Sequence, residues 1–171
     1  MKTKLLEKIE TLFWENSFAE VTMDEIAREL GMKKASVYYH FPSKEEMFIE
    51  VLEYSFNRYK LFIEVLISSN NLDEILTWII KYPLESKNLF AVVSQKWYCK
   101  IWIIRDLISI KNRELFNTYF DFFAWKYWFN QEKTILLQSI LNDLSKKYCI
   151  FDCSESLDAD KLIMEIKKIF F

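Results

Sequence analysis

With 171 residues the chain suits one domain, or a small domain joined to a larger one. A hydrophobic share of 51% supports a sizeable core and excludes a disordered chain, while one Gly and two Pro are too few turn residues for a sheet protein. The net charge of −2 excludes a general polycation and leaves room only for a local basic patch.

From the N-terminus, Leu5, Leu6, Ile9, Leu12 and Phe13 recur at helical spacing and predict a first helix ending near Asn16-Ser17. Charges run through the apolar stretch MKTKLLEKIETLFWEN, which therefore does not read as a signal peptide. Thr22-Met23-Asp24-Glu25 is an S/T-x-x-E capping box, and Val21 and Ile26 are placed for a hydrophobic staple. It opens a second helix, Met23 to about Leu30, which Gly31 ends as the left-handed residue. A third short helix is predicted from about Lys33 to Tyr39, because Pro42 disfavours helical geometry at Phe41. Ser43-Lys44-Glu45-Glu46 is a second capping box. It opens a long fourth helix whose inward stripe is Phe48, Val51, Leu52, Ser55, Tyr59, Phe62, Ile63 and Leu66. If that helix reaches Ser68 it spans roughly 36 Å.

Two short helices around a glycine turn describe a helix-turn-helix, whose second helix, here KKASVYY, enters the major groove of DNA. Residues 1–47 hold seven Lys/Arg against nine Asp/Glu, yet residues 30–44 carry Lys33, Lys34 and Lys44 and no acid. Charge within a Debye length of ~10 Å governs attraction to phosphate, so the local balance matters more than the net value.

Within residues 5–48, the stretch TMDEIARELGMKKASVYYHFPSKEEMF resembles the DNA-binding region of the TetR family of transcriptional regulators. The shared order is a capped helix, E-I-A, a glycine turn, a short recognition helix, aromatic-His-Phe, and S-K-E-E opening a long helix. The resemblance implies an all-α protein. A three-helix helix-turn-helix DNA-binding domain (1–46) would be joined by the long helix to a larger helical ligand-binding and dimerisation domain (47–171). It also implies roles. Thr22 would cap the second helix and touch a phosphate. Lys34, Ala35, Ser36 and Tyr39 would face base edges or nearby backbone. Tyr38, His40 and Lys44 would hold phosphates, and Val37 and Phe41 would be core. Two positions depart from the family pattern. Lys33 stands where Ser or Thr usually caps the recognition helix, and would reach a phosphate or base instead. Asn16-Ser17 precede Phe18 where a glycine is usual, and Asn tolerates the left-handed conformation.

The plainer readings of these residues are packing and solvation. Tyr38 and Tyr39 point about 100° apart on a helix, so both cannot face one core stripe. His40, the chain's one histidine, has no second histidine for a metal or catalytic site. Lys2, Lys4 and Lys8 read as a solvated face.

In the body, Asn71-Leu72-Asp73-Glu74 reads as a helix start and Pro83 as the next break. The predicted helices are 71–81, 86–106, 112–148 and 157–171. The segment LFNTYFDFFAWKYWF (115–129) is aromatic on nearly every side, the pattern of a helix that is buried all round, or that faces a core on one side and a partner or ligand on the other. Trp78, Trp97, Tyr98, Trp102, Phe116, Phe120, Phe123 and Trp125 are candidate walls for the ligand pocket that the resemblance implies. Leu137, Ile140, Leu141, Leu144 and Tyr148 make a further stripe, and the apolar end Ile169-Phe170-Phe171 calls for cover by the fold or a partner chain. Cys99, Cys149 and Cys153 are odd in number, lack metal-type spacing and fit a reduced cytoplasmic setting. No run of about 18 apolar residues predicts a membrane span.

No Gly-rich phosphate loop, HExxH or nucleophile elbow is present, so no catalytic residues, metal ligands or cofactors are expected. The expectation is a cytoplasmic homodimer that binds near-palindromic double-stranded operator DNA and is released by a small-molecule effector of unknown identity. The alternative is a helical protein-interaction co-regulator of the same fold, without ligand-gated release of DNA.

Overall fold

The computed structural model describes residues 2–16, 18–86, 88–90, 102–150 and 158–171. They form α1 (Lys2–Glu15), α2 (Met23–Leu30), α3 (Lys34–His40), α4 (Lys44–Ser68), α5 (Leu72–Glu85), α6 (Trp102–Tyr127), α7 (Gln131–Ile150) and α8 (Ala159–Phe170). No strand occurs among the described residues.

The head closes around a core of Leu6, Ile9 and Phe13 from α1, Ile26 and Ala27 from α2, Val37 from α3, and Met47, Phe48, Val51 and Leu52 from α4. Val21 and Phe41 complete it from the connections, and Leu89 and Ile104 enter it from the body. The hydrophobic unit of the head thus extends past residue 46 into α4. Both capped starts form as expected. The Thr22 hydroxyl accepts from the N–H of Glu25 at 3.2 Å while the Glu25 carboxylate accepts from Thr22 N–H at 2.8 Å. The Ser43 hydroxyl accepts from Glu46 N–H at 3.1 Å. Gly31 has φ 65° and closes α2 by donating to the carbonyl of Arg28. Asn16 does not take the left-handed conformation, since the positive-φ residues among those described are Gly31, Asn70 and Trp128; its side-chain amide donates to Leu12 O instead.

The body packs a second core from α4 to α8, with Phe56, Ile63, Ile75, Leu76, Ile80, Tyr119, Phe123, Phe129, Leu137, Ile163 and Phe170 buried in it. Three predicted boundaries differ. α5 starts as expected, the Asn71 side-chain oxygen Oδ1 accepting from Glu74 N–H at 3.3 Å, but it continues through Pro83 to Glu85. The expected gap between 106 and 112 is absent, because α6 runs unbroken from Trp102 to Tyr127. Lys111 lies 4.6 Å from the Phe56 ring and 3.7 Å from the Glu114 carboxylate, so the polar stretch there is side-chain packing, not a loop. Conversely, 112–148 is not one helix. Trp128, at φ 57°, ends α6, and the Asn130 side chain caps α7 by accepting from Lys133 N–H at 2.9 Å. Residues 91–101, part of the predicted helix 86–106, lie outside the described residues, as does Cys153.

No described helix is long and apolar enough to cross a membrane.

Candidate nucleic-acid interface

α3 is seven residues long and has one buried side chain, Val37, seated between α2 and α4. Every other part of its surface faces outward. Lys33, Lys34, Ala35, Ser36, Tyr38 and Tyr39 are exposed, and His40 is half-buried. Tyr39 is 87% exposed, far more than an aromatic side chain placed for packing, while Tyr38 is 44% exposed. The Tyr39 ring meets the His40 imidazole edge-on, with centroids 5.5 Å apart. Thr22, also exposed, stands at the N-terminus of α2. Thr22 and the sequence-derived residues from Lys33 to Tyr39 are thus exposed, apart from Val37, while Lys44 is half-buried.

Three details add to the sequence reading. Lys33 occupies the N-cap of α3 with no side-chain bond to the helix, since its ammonium is a donor and cannot accept from the first N–H groups. Lys34 donates to the Asp24 carboxylate at 2.9 Å, which ties the start of α3 to α2 and raises the Lys34 pKa above its ordinary value. Both groups of this pair are exposed, so it is a weak bond that an arriving phosphate can replace. Lys44 differs most from expectation. Its ammonium donates to Phe18 O at 2.8 Å and Val21 O at 3.0 Å and lies 4.4 Å from the Phe18 ring centroid. Two of its three N–H groups brace the connection between α1 and α2, so its first role is structural. The Glu25 carboxyl is held below the usual carboxylate range, chiefly by the backbone N–H of Thr22 and then by its hydroxyl.

Sequence reasoning missed Glu10. It sits among the inward residues of α1 and is 3% exposed, bonded to Ser55, Arg58 and Leu89 N–H. The signal was present in its spacing: Glu10 lies four residues after Leu6 and three before Phe13, on the buried face.

The described candidate pocket walls fall in three different surroundings. Trp78 packs edge-on to Phe62 at 5.8 Å in the body core, and Phe123 is buried among Phe122, Phe129 and Phe171. Phe123 is thus buried in the body core and Trp78 half-buried against it, and neither lines the open groove beside α6. Phe116 and Phe120 stack on each other at 6.2 Å, half-buried along α6. Trp97, Tyr98 and the side chain of Trp102 lie outside the described residues. Trp125 lines an open groove of about 1090 Å³ between the end of α4 and α6, with Trp128, Ile67, Phe122, Glu64 and Asp121.

Residues 5–51 match the family model described as bacterial regulatory proteins, tetR family. The chain is 33% identical over 86 residues to the biofilm operon icaADBC HTH-type negative transcriptional regulator IcaR of Staphylococcus epidermidis, covering 48% of this chain and 45% of that protein. It is 39% identical over 57 residues to IcaR of Staphylococcus aureus, covering 33% of this chain and 31% of the relative. The chain thus spans less than half the length of these relatives. Among solved structures, a TetR/AcrR-family regulator of Aquifex aeolicus superimposes with a TM-score of 0.72 at 19% identity, covering 98% of this chain and 97% of its own. The regulator FadR of Bacillus subtilis, in complex with stearoyl-CoA, gives 0.75 at 13%, covering 99% and 97%. AibR, in complex with isovaleryl coenzyme A and operator DNA, gives 0.71 at 16%, covering 98% and 96%. At these identities the structures share the fold. Motif and family match thus agree over residues 5–51, which resemble the DNA-binding region of tetR-family regulators, and the chain as a whole shares the fold of TetR/AcrR-family structures.

Proposed function

We propose that the protein is a homodimeric repressor that places α3 of each subunit in a major groove of a near-palindromic operator and is released by a small molecule. The carrying observation is the outward face of α3: Lys33, Lys34, Ala35, Ser36, Tyr38 and Tyr39 surround a single buried anchor, Val37. Such a helix is anchored by Val37 and offers most of its surface to a partner. Lysines supply phosphate attraction, and Ser36 and Tyr39 supply short polar reach to base edges. The relatives that share this head are negative regulators, which supports repression.

The test is fluorescence anisotropy of the purified protein on DNA tiled from the flanks of its own gene, at two salt concentrations with scrambled competitor. The expected result is competitor-resistant binding to one tile, followed by its release on adding an effector. Acyl-coenzyme A thioesters are the first class to titrate, because two proteins of this fold hold them. Binding that is equal on every tile and collapses with salt would overturn sequence-specific regulation. A second reading, a co-regulator that works through a protein partner, is favoured by Trp125 and Trp128, which are 82% and 91% exposed beside the open groove. Under that reading Trp125→Ala abolishes regulation in cells while leaving operator affinity intact.

A further inference from the structure

We infer that Glu10 is a positioning residue that fixes the angle of the head on the body, and so determines the spacing between half-sites that a dimer accepts; this rests on the dimeric operator reading above. Glu10 belongs to α1, in the head, yet it is 3% exposed. A carboxylate so placed is costly unless its oxygens are bonded. One oxygen accepts from the Ser55 hydroxyl at 2.8 Å and from the backbone N–H of Leu89 at 3.1 Å, and the other from the Arg58 guanidinium at 2.6 Å. The joint extends further. The Ser55 hydroxyl oxygen accepts from Phe90 N–H at 2.8 Å, and the Asn88 amide donates to the Ser55 carbonyl at 2.9 Å.

These bonds connect three separate parts of the chain: α1, the middle of α4, and residues 88–90 of the body. Among the described residues, the other body side chains that meet the head core, Leu89, Ile104, Leu107 and Ile108, are apolar and carry no directional preference. Hydrogen bonds to backbone N–H groups are directional, so the carboxylate selects one angle where apolar packing tolerates several. None of the Glu10 partners lies on α2 or α3. The joint therefore bears on where each recognition helix stands, while the side chains that read bases stay untouched. In a dimer, that position sets the distance between the two recognition helices and hence the spacing of the half-sites.

The experiment first selects preferred sites from randomised duplexes with the wild-type protein. Affinity is then measured on duplexes carrying two selected half-sites at varied spacing, and on a single half-site. Glu10→Gln keeps the shape but turns an amide toward Arg58. The expected result is a broadened spacing profile, with the preference for the best spacing over its neighbours reduced about tenfold, and single half-site affinity nearly unchanged. Ser55→Ala should shift the profile in the same direction and decides the question if Glu10→Gln does not fold. Glu50→Gln, which breaks the exposed 2.7 Å bridge from Lys2 to α4, should leave the profile as in the wild type. A wild-type profile in both folded Glu10→Gln and Ser55→Ala overturns the inference. So does equal loss on single and paired half-sites, which marks Glu10 as a support of the head fold alone. If the wild type selects single half-sites with no preferred spacing, the dimeric reading itself fails and takes this inference with it.

Discussion

Lys44 donates to two carbonyls of the connection between α1 and α2 and covers the Phe18 ring, whereas Tyr39 touches little besides its neighbour His40. The two residues should therefore separate stability from recognition. Lys44→Ala removes charge-assisted bonds at a half-buried position and should lower stability by about 1–2 kcal/mol, read as a shift in urea midpoint with unchanged slope. Its effect on DNA binding should follow that loosening and be similar on specific and scrambled DNA. Tyr39→Ala, at an exposed position, should leave the urea midpoint in place and reduce the preference for the selected site over scrambled DNA. A stability loss in Tyr39→Ala equal to that in Lys44→Ala would count against the separation. The motif carried Tyr39 correctly to the surface, but it could not show that the Lys44 ammonium has carbonyl partners more than twenty residues away. The same holds for Glu10. A sequence pattern places a residue on a face, while the identity of its partners depends on how distant segments pack.

The helix ends show what sequence can locate. Thr22, Ser43 and Asn71 each cap the helix they were expected to open, because a capping bond closes within three residues and depends on nothing distant. The turn at Trp128 escaped notice because it lacks the glycine that usually marks a left-handed residue; Asn130, three residues before the N–H it accepts from, was its local signal. Gly31 and Trp128 hold nearly the same φ with opposite residue types, which gives a paired prediction. A Cβ at Gly31 meets nothing within 4 Å, so Gly31→Ala should cost only the left-handed penalty of about 1 kcal/mol. Trp128→Gly relieves that penalty at a side chain with few contacts and should stabilise by up to about 1 kcal/mol, seen as a rise in Tm. The α2 cap adds a dependence on pH. The folded-state pKa of Glu25 lies below its ordinary 4.5, so its contribution is complete above that value and is lost as pH falls through the folded value. The difference in urea midpoint between wild type and Glu25→Ala should therefore be present at neutral pH and shrink as the pH is lowered below 4.5 and through the folded-state pKa. A difference that stays constant with pH would mean that the capping bond does not depend on the Glu25 charge.

At the level of the whole molecule, the unresolved demand is the apolar surface of α7 and α8. Both helices pack against α5, and Lys133 at the start of α7 donates to Phe170 O at 2.6 Å at the end of α8. Their inward residues Leu137, Leu141, Ile163, Ile166 and Phe170 belong to the body core. Yet Ile135 and Leu136 on α7, and Met164 and Ile169 on α8, remain exposed, Ile169 by 69%. The apolar end is thus covered by the fold at Phe170 and left open beside it. In the homodimer proposed above, these exposed side chains would supply an apolar surface for the subunit contact. A dimer held there binds folded subunits and not unfolded chains, so the Tm of the wild type should rise with protein concentration. Leu136→Asp combined with Met164→Asp introduces charge on both helices without touching a core residue. The pair should weaken association by at least about a hundredfold, since each tenfold corresponds to ~1.4 kcal/mol. It should yield a folded monomer in sedimentation equilibrium that keeps single half-site binding and loses the gain from a second half-site. A variant that sediments as the wild type does, together with a Tm independent of concentration, would place the subunit contact elsewhere and leave the exposed α7 and α8 side chains for another partner.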